Sequence, residues 1–149
     1  MSAQVPPLSE EERILRIRSE VGKASMHLRE AETLSKGGGA PNACVHAAYY
    51  SMYHLAVAVL LVTGGVGRLG GVPKNHTVVG QEFAARVAQE PGELGEAGKL
   101  LGVALARRID ADYTLGSDMS ASAATEATTV ARHFAALCAD RWPQLALKQ

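Results

Sequence analysis

Three of the chain's four tyrosines and two of its five histidines fall between positions 46 and 54, as His46, Tyr49, Tyr50, Tyr53 and His54. On a helix turning about 100° per residue, with His46 at zero, Tyr49 lies at about −60°, Tyr50 at about 40°, Tyr53 at about −20° and His54 at about 80°. All five therefore share one side, and Val45, Ala48, Met52, Leu55, Ala56 and Val59 take the other. Farther along, the polar-tipped side becomes Val57, Leu60 and Leu61, so the patch occupies only the first half of the helix. An imidazole titrates near neutral pH, which suits a pocket where protons are exchanged. The same pattern also suits tyrosines wedged between helices with their hydroxyls on carbonyls or solvent. The sequence leaves both readings open.

A second polar feature is Arg107-Arg108-Ile109-Asp110-Ala111-Asp112-Tyr113. Arg108 and Asp112 are four residues apart and able to pair on a helix. They continue the stripe of Leu101 and Leu105, which directs them inward. Burying such a pair costs desolvation, so its presence suggests either a structural hydrogen-bond network or a place that holds an anion or base.

The elements that must position these residues are helices. Ser9 followed by Glu12 is a capping-box pattern. Ile14, Ile17, Val21, Ala24, Leu28 and Ala31 then recur at spacings of three and four, which predicts an amphipathic first helix ending at Gly37-Gly38-Gly39. A second helix is expected from Pro41 to about Thr63, apolar almost all round, as a helix enclosed by others would be. Gly64–Val72 holds five glycines and reads as a mobile loop, with a lid over a ligand as the alternative. A third helix is expected over Asn75–Glu90 with Val79, Phe83 and Val87 buried. A fourth follows over Glu93–Leu115 with Leu94, Ala97, Leu101 and Leu105 inward, and a fifth over Ser120–Arg141. No strand or hairpin signal interrupts the series. The expected fold is all-α, an antiparallel bundle of about five helices in one domain over residues 1–149, with 1–8 a flexible tail.

Composition narrows the function. Fifteen basic residues balance fifteen acidic ones, so no global basic excess points to phosphate neutralisation. Cys44 and Cys138 lie in apolar runs and read as buried thiols of a reducing, cytoplasmic setting. No ligand set flanks them, and no glutamate stands three residues before a histidine, so neither a metal nor another cofactor is expected. Met1–Pro7 lacks the basic and apolar regions of a secretory signal. Ala43–Val62 is long enough to span a bilayer, but its histidines, serine and tyrosines favour a buried core helix over a membrane span.

Three segments, in order, resemble the HEPN family of small helical domains. Ala48-Tyr49-Tyr50-Ser51-Met52-Tyr53-His54 resembles the family's A-Y-Y-A-M-F-H stretch, Asn75-His76-Thr77 its S-H-K turn, and Arg108-Ile109-Asp110-Ala111-Asp112-Tyr113 its R-x-x-A-D-Y segment. With the fifth helix the likeness spans about residues 10–140. The resemblance implies a domain that commonly forms homodimers and is often paired with an MNT-type nucleotidyltransferase as a toxin–antitoxin system. It implies RNA or a nucleotide as ligand, His54 and Arg108 as candidate catalytic residues, and Tyr49, Tyr50, His76 and Asp112 as candidate ligand-binding residues. Many members are metal-independent ribonucleases carrying an Arg-x4–6-His motif, in which the histidine moves the 2′-hydroxyl proton and the arginine stabilises the phosphorane. This chain departs from that pattern. No arginine precedes a histidine at that spacing; the nearest pair, Arg68 and His76, has seven residues between, and Ala47 stands where an arginine commonly precedes A-Y-Y. The expectation is therefore a domain with degenerate or absent catalysis that binds RNA, a nucleotide or a partner protein. The alternative is a ribonuclease toxin in which Arg107 or Arg108 replaces the missing arginine and His54 or His76 transfers the proton.

Overall fold

The computed structural model describes residues 8–64, 75–113 and 118–148. They form five α-helices, α1 (Glu10–Gly37), α2 (Pro41–Val62), α3 (His76–Val87), α4 (Ala97–Tyr113) and α5 (Ala121–Arg141), with short 3-10 turns at Gly92–Glu96 and Pro143–Leu145. Among the described residues there is no strand, so the all-α expectation holds. Residues 65–72 of the glycine-rich loop and the tail up to Pro7 lie outside the described residues, as does Leu115. Leu8 is half-buried against the core and so does not behave as tail.

Local chemistry sets the helix ends. Ser9 Oγ accepts from the Glu12 amide at 3.1 Å, and Glu10, Glu11 and Glu12 place negative charge at the positive end of the α1 dipole. Gly38 closes α1 in the left-handed region, φ 69°, with its N–H on the Leu34 carbonyl. Three residues later α2 starts at Pro41 and runs back along α1. Arg13 meets the Leu61 and Val62 carbonyls, Glu20 meets His54, Ser51 Oγ donates to the Ala24 carbonyl, and Cys44 meets the Ala31 carbonyl. Residue number rises along one helix as it falls along the other, so the pair is antiparallel. Arg13 also supplies the cation that the last turn of α2 lacks.

α2 sits at the centre, packed by α1, α3, α4 and α5. Its residues Cys44, Val45, Ala47, Ala48, Met52 and the run Leu55–Leu61 are buried. It is long and apolar enough to cross a bilayer, yet 72% of its most apolar window is buried within the bundle. The buried hydroxyls of Ser25, Ser51 and Thr128 all have backbone partners, which removes the cost of enclosing them. Both cysteines are buried free thiols; burial pushes Cys138 up to about 12, keeping it protonated.

Several boundaries and one face differ from expectation. α3 stops at Val87 because the Gln89 and Glu90 amides bond three residues back instead of four, tightening its last turn. The α4 segment opens as a 3-10 turn: Gly92 has φ 70°, and Gly95 lets the Glu90 carbonyl come within 2.7 Å of where a Cβ would stand. Ile14, expected on the inward stripe of α1, is 41% exposed, whereas Ser25 is buried. Leu94 in the 3-10 turn and Ala97 and Leu101 on α4 are buried as expected, and Leu105 is half-buried.

Two helical glycines give opposite predictions. At Gly98 an added Cβ would lie 2.5 Å from Ala84 Cβ, where α4 meets α3, and at Gly22 it would meet nothing within 4 Å. A better helix residue gains up to ~1 kcal/mol, and overpacking costs ~1–3 kcal/mol. Gly22→Ala is expected to raise the urea midpoint and Gly98→Ala to lower it. Leu101→Ala should cost ~2–5 kcal/mol, and Leu105→Ala less. Equal midpoints for the two glycine variants would mean that α3 and α4 are not in close contact.

Candidate functional site

The polar half of α2 does not face water alone; each of its rings meets a group brought by another helix. Tyr50 is the hub. Its ring centroid lies 4.6 Å from that of His46, 5.7 Å from His27, 5.5 Å from His76 and 6.2 Å from His54. The Arg108 guanidinium sits over the Tyr50 ring at 5.4 Å and donates to its hydroxyl at 3.1 Å. It also sits over Tyr113 at 5.3 Å. α1 thus contributes His27, α3 His76 and α4 Arg108, all to one aromatic side chain.

Each imidazole then has its own partner. His54 Nδ1 lies 2.6 Å from Glu20 Oε2, and both side chains are largely covered. With Nδ1 donating to the carboxylate, Nε2 is turned to the opposite side of the ring. His27 stacks on His54 with ring planes 2° apart and centroids 5.5 Å apart. His27 Nδ1 is enclosed without a hydrogen-bond partner. Burial, then the neighbouring His54, hold His27 below the ordinary imidazole value. On the other flank His46 Nδ1 lies 2.7 Å from Asp112 Oδ2, and the same oxygen is 3.0 Å from Arg108 Nε. The Arg108 contact is off-line for a hydrogen bond, so it is an ion pair held by charge.

His76 opens α3, where Asn75 Oδ1 accepts from the Thr77 and Val78 amides and fixes the first turn. That turn aims His76 Nδ1 at the Tyr49 hydroxyl, 2.6 Å away. Burial, reinforced by Tyr53 and Tyr50, raises Tyr49 well above the ordinary phenol range. Burial, then the Arg108 charge, lowers His76. Both shifts favour the neutral pair, so the phenol O–H donates to Nδ1 and the other ring nitrogen carries the proton.

The residues expected from sequence are thus brought together: His54, His76, Arg108 and Tyr50 share one cluster, with Asp112 ion-paired to Arg108 as its spacing implied. Tyr49 is different. It is 2% exposed and its hydroxyl is taken by His76, so it positions His76 and shows no face at the open edge of the cluster. Arg107 is not in the cluster; it pairs with Glu126 of α5 at 3.4 Å. Glu20 and His27 were not assigned to the site from sequence, and His46 was placed on the polar patch without a role or partner. The signal was present on α1, where Ile17, Glu20, Ala24, His27 and Ala31 recur at spacings of three and four, so that a carboxylate and an imidazole stand in a stripe that packs on α2.

The reachable edge of the cluster consists of Tyr113, 70% exposed, and His46, whose side chain is 42% exposed, with Arg108 covered behind them at 14%. This edge offers a cation, a phenol face and an imidazole. Among the described residues no three histidine, cysteine or acidic side chains are grouped to hold a metal ion. In comparison with known proteins, the chain matches no protein-family model and no curated protein.

The lowered imidazoles make stability depend on pH. His27 and His76 bind a proton less readily folded than unfolded, so their contribution is complete above about 6.5, the unfolded value, and is lost as pH falls through that value toward the folded one. The urea midpoint is expected to drop from about pH 7.5 to about pH 5.5, and the drop to shrink in a His27→Gln/His76→Gln variant. An unchanged pH slope in that variant would assign the effect to other groups.

Proposed function

We propose that this chain is a HEPN-like helical domain that binds RNA or a nucleotide at the Tyr50–Arg108 cluster, with degenerate or absent catalysis. The observation that carries this reading is the convergence of Arg108 with His46, His54 and His76 around one tyrosine, backed by a second, exposed tyrosine face at Tyr113. A guanidinium suits a phosphate and an exposed phenol ring suits a base, which is the pairing that single-stranded nucleic acid offers. The three sequence segments that resemble the HEPN family supply most of these residues. In this reading the domain is a cytoplasmic toxin–antitoxin-type component, forms a homodimer and partners an MNT-type nucleotidyltransferase.

Weak catalysis is part of the proposal for a physical reason. The Arg108 charge is already met by Asp112, so a transition-state phosphorane would have to compete with a carboxylate 3.0 Å away. A ribonuclease reading is favoured by one observation, the His54–Glu20 contact at 2.6 Å, which orients an imidazole as a base.

Fluorescence anisotropy with a labelled RNA oligonucleotide, and titration with ATP, test the binding. Tyr113→Ala, an exposed change, should weaken binding about tenfold by loss of stacking, and Arg108→Gln should weaken it further and flatten the salt dependence. Tight binding unaffected by both changes would remove the cluster from consideration. Metal-free cleavage of total RNA that disappears in His54→Ala would replace the binding reading by the ribonuclease one. Light scattering that returns a monomer at high concentration would discard the homodimer.

A further inference from the structure

Behind the Tyr50 cluster, α4 and α5 both lie on α2 but touch one another sparingly, and between them a pocket of ≈ 180 Å³ remains. Three alanines make the space, Ala48 on α2, Ala104 on α4 and Ala127 on α5. Its walls are Val45, Met52, Leu100 and Val130, and Tyr49 also lines it. An apolar cavity of about 150 Å³ is enough to hold benzene, and such walls give water few partners.

The rim differs from the walls. Arg107 and Glu126, one from each helix, meet there at 3.4 Å, with side chains 35% and 61% exposed. A charge-assisted contact is ordinarily about 2.7–2.9 Å. This pair is therefore loosely made, and the Glu126 carboxylate is free to turn into water. Removing it leaves a guanidinium at the mouth of an apolar pocket.

We propose that this pocket binds a small carboxylate with an apolar body, of the size of hexanoate or phenylacetate. The body enters among Val45, Met52, Leu100 and Val130, and the carboxylate takes the place of Glu126 on Arg107. The site is distinct from the Tyr50 cluster and does not depend on nucleic-acid binding there. One ring joins the two: Tyr49 lines the pocket and its hydroxyl holds His76 at 2.6 Å, so an occupant that fixes Tyr49 also fixes His76.

The test is a titration of the whole chain with hexanoate and phenylacetate, and with hexanol and benzyl alcohol as neutral counterparts. It is read by the Met52 and Val130 methyl resonances and by the thermal midpoint. We expect saturable shifts with a Kd on the order of 0.1–1 mM for the carboxylates and at least about fivefold weaker binding of the alcohols. Arg107→Gln should remove the preference for the acids, and Ala104→Leu, which fills the space, should remove binding of both. Ala127→Leu replaces Ala104→Leu if the latter loses its helical signal. Methyl shifts that do not saturate in wild type, alcohols that bind as tightly as the acids, or binding that survives a folded filled variant would each overturn the proposal.

Discussion

A helix enclosed by other helices has no water to satisfy the polar groups it carries, so each must be met by a side chain or carbonyl of a neighbour. α2 is such a helix, and it carries two imidazoles, three phenols and a hydroxyl in its first half. Their partners come from three directions: Glu20 and the Ala24 carbonyl from α1, His76 from α3, and Arg108 with Asp112 from α4. Burying any one of these groups alone would cost more than a hydrogen bond returns. Together they fix which face of α1 and α4 turns inward and where α3 begins. The second half of α2 makes no such demand and is covered by ordinary apolar packing.

That division explains why the site is assembled from charges that partly cancel. Asp112 serves both His46 and Arg108, and Glu20 serves His54. Each carboxylate keeps a cationic or cation-forming group from being buried unpaired, which would be strongly destabilising. The same pairing restrains the chemistry, because a guanidinium engaged by a carboxylate is a poorer electrophile than a free one. Stability and reactivity draw on the same side chains here.

Much of this was legible in the residues. The spacing of Ile17, Val21, Ala24 and Ala31, the Ser9 cap and the glycines after Lys36 identify α1, and the continuous apolar character of Cys44–Leu61 identifies the enclosed helix. The Arg108–Asp112 pair followed from its four-residue spacing. Which helices supply the partners did not follow, because periodicity fixes the rotation of a helix about its own axis but not its neighbour in space. Glu20 and His27 were therefore overlooked, although they stand in the inward stripe, since a carboxylate and an imidazole count as polar in a hydrophobic pattern. The surroundings of Tyr49 were not legible for a related reason. Its angle on the helix wheel places it beside Tyr50, but the Asn75-capped start of α3 covers it and leaves Tyr50 nearer the edge.

The antiparallel α1–α2 pair has a bearing on the order of folding. Its cross-contacts span steadily longer stretches of chain: 13 residues from Ala31 to Cys44, 27 from Ala24 to Ser51, 34 from Glu20 to His54 and 48 from Arg13 to Leu61. Loop-closure entropy grows with each span, but only logarithmically. Once the turn at Gly38 has formed, every contact made shortens the loop left for the next, and the hairpin closes like a zipper from its tip. The first half of α2, which holds the Tyr50 cluster, is thus seated on α1 before the far end is fastened by Arg13.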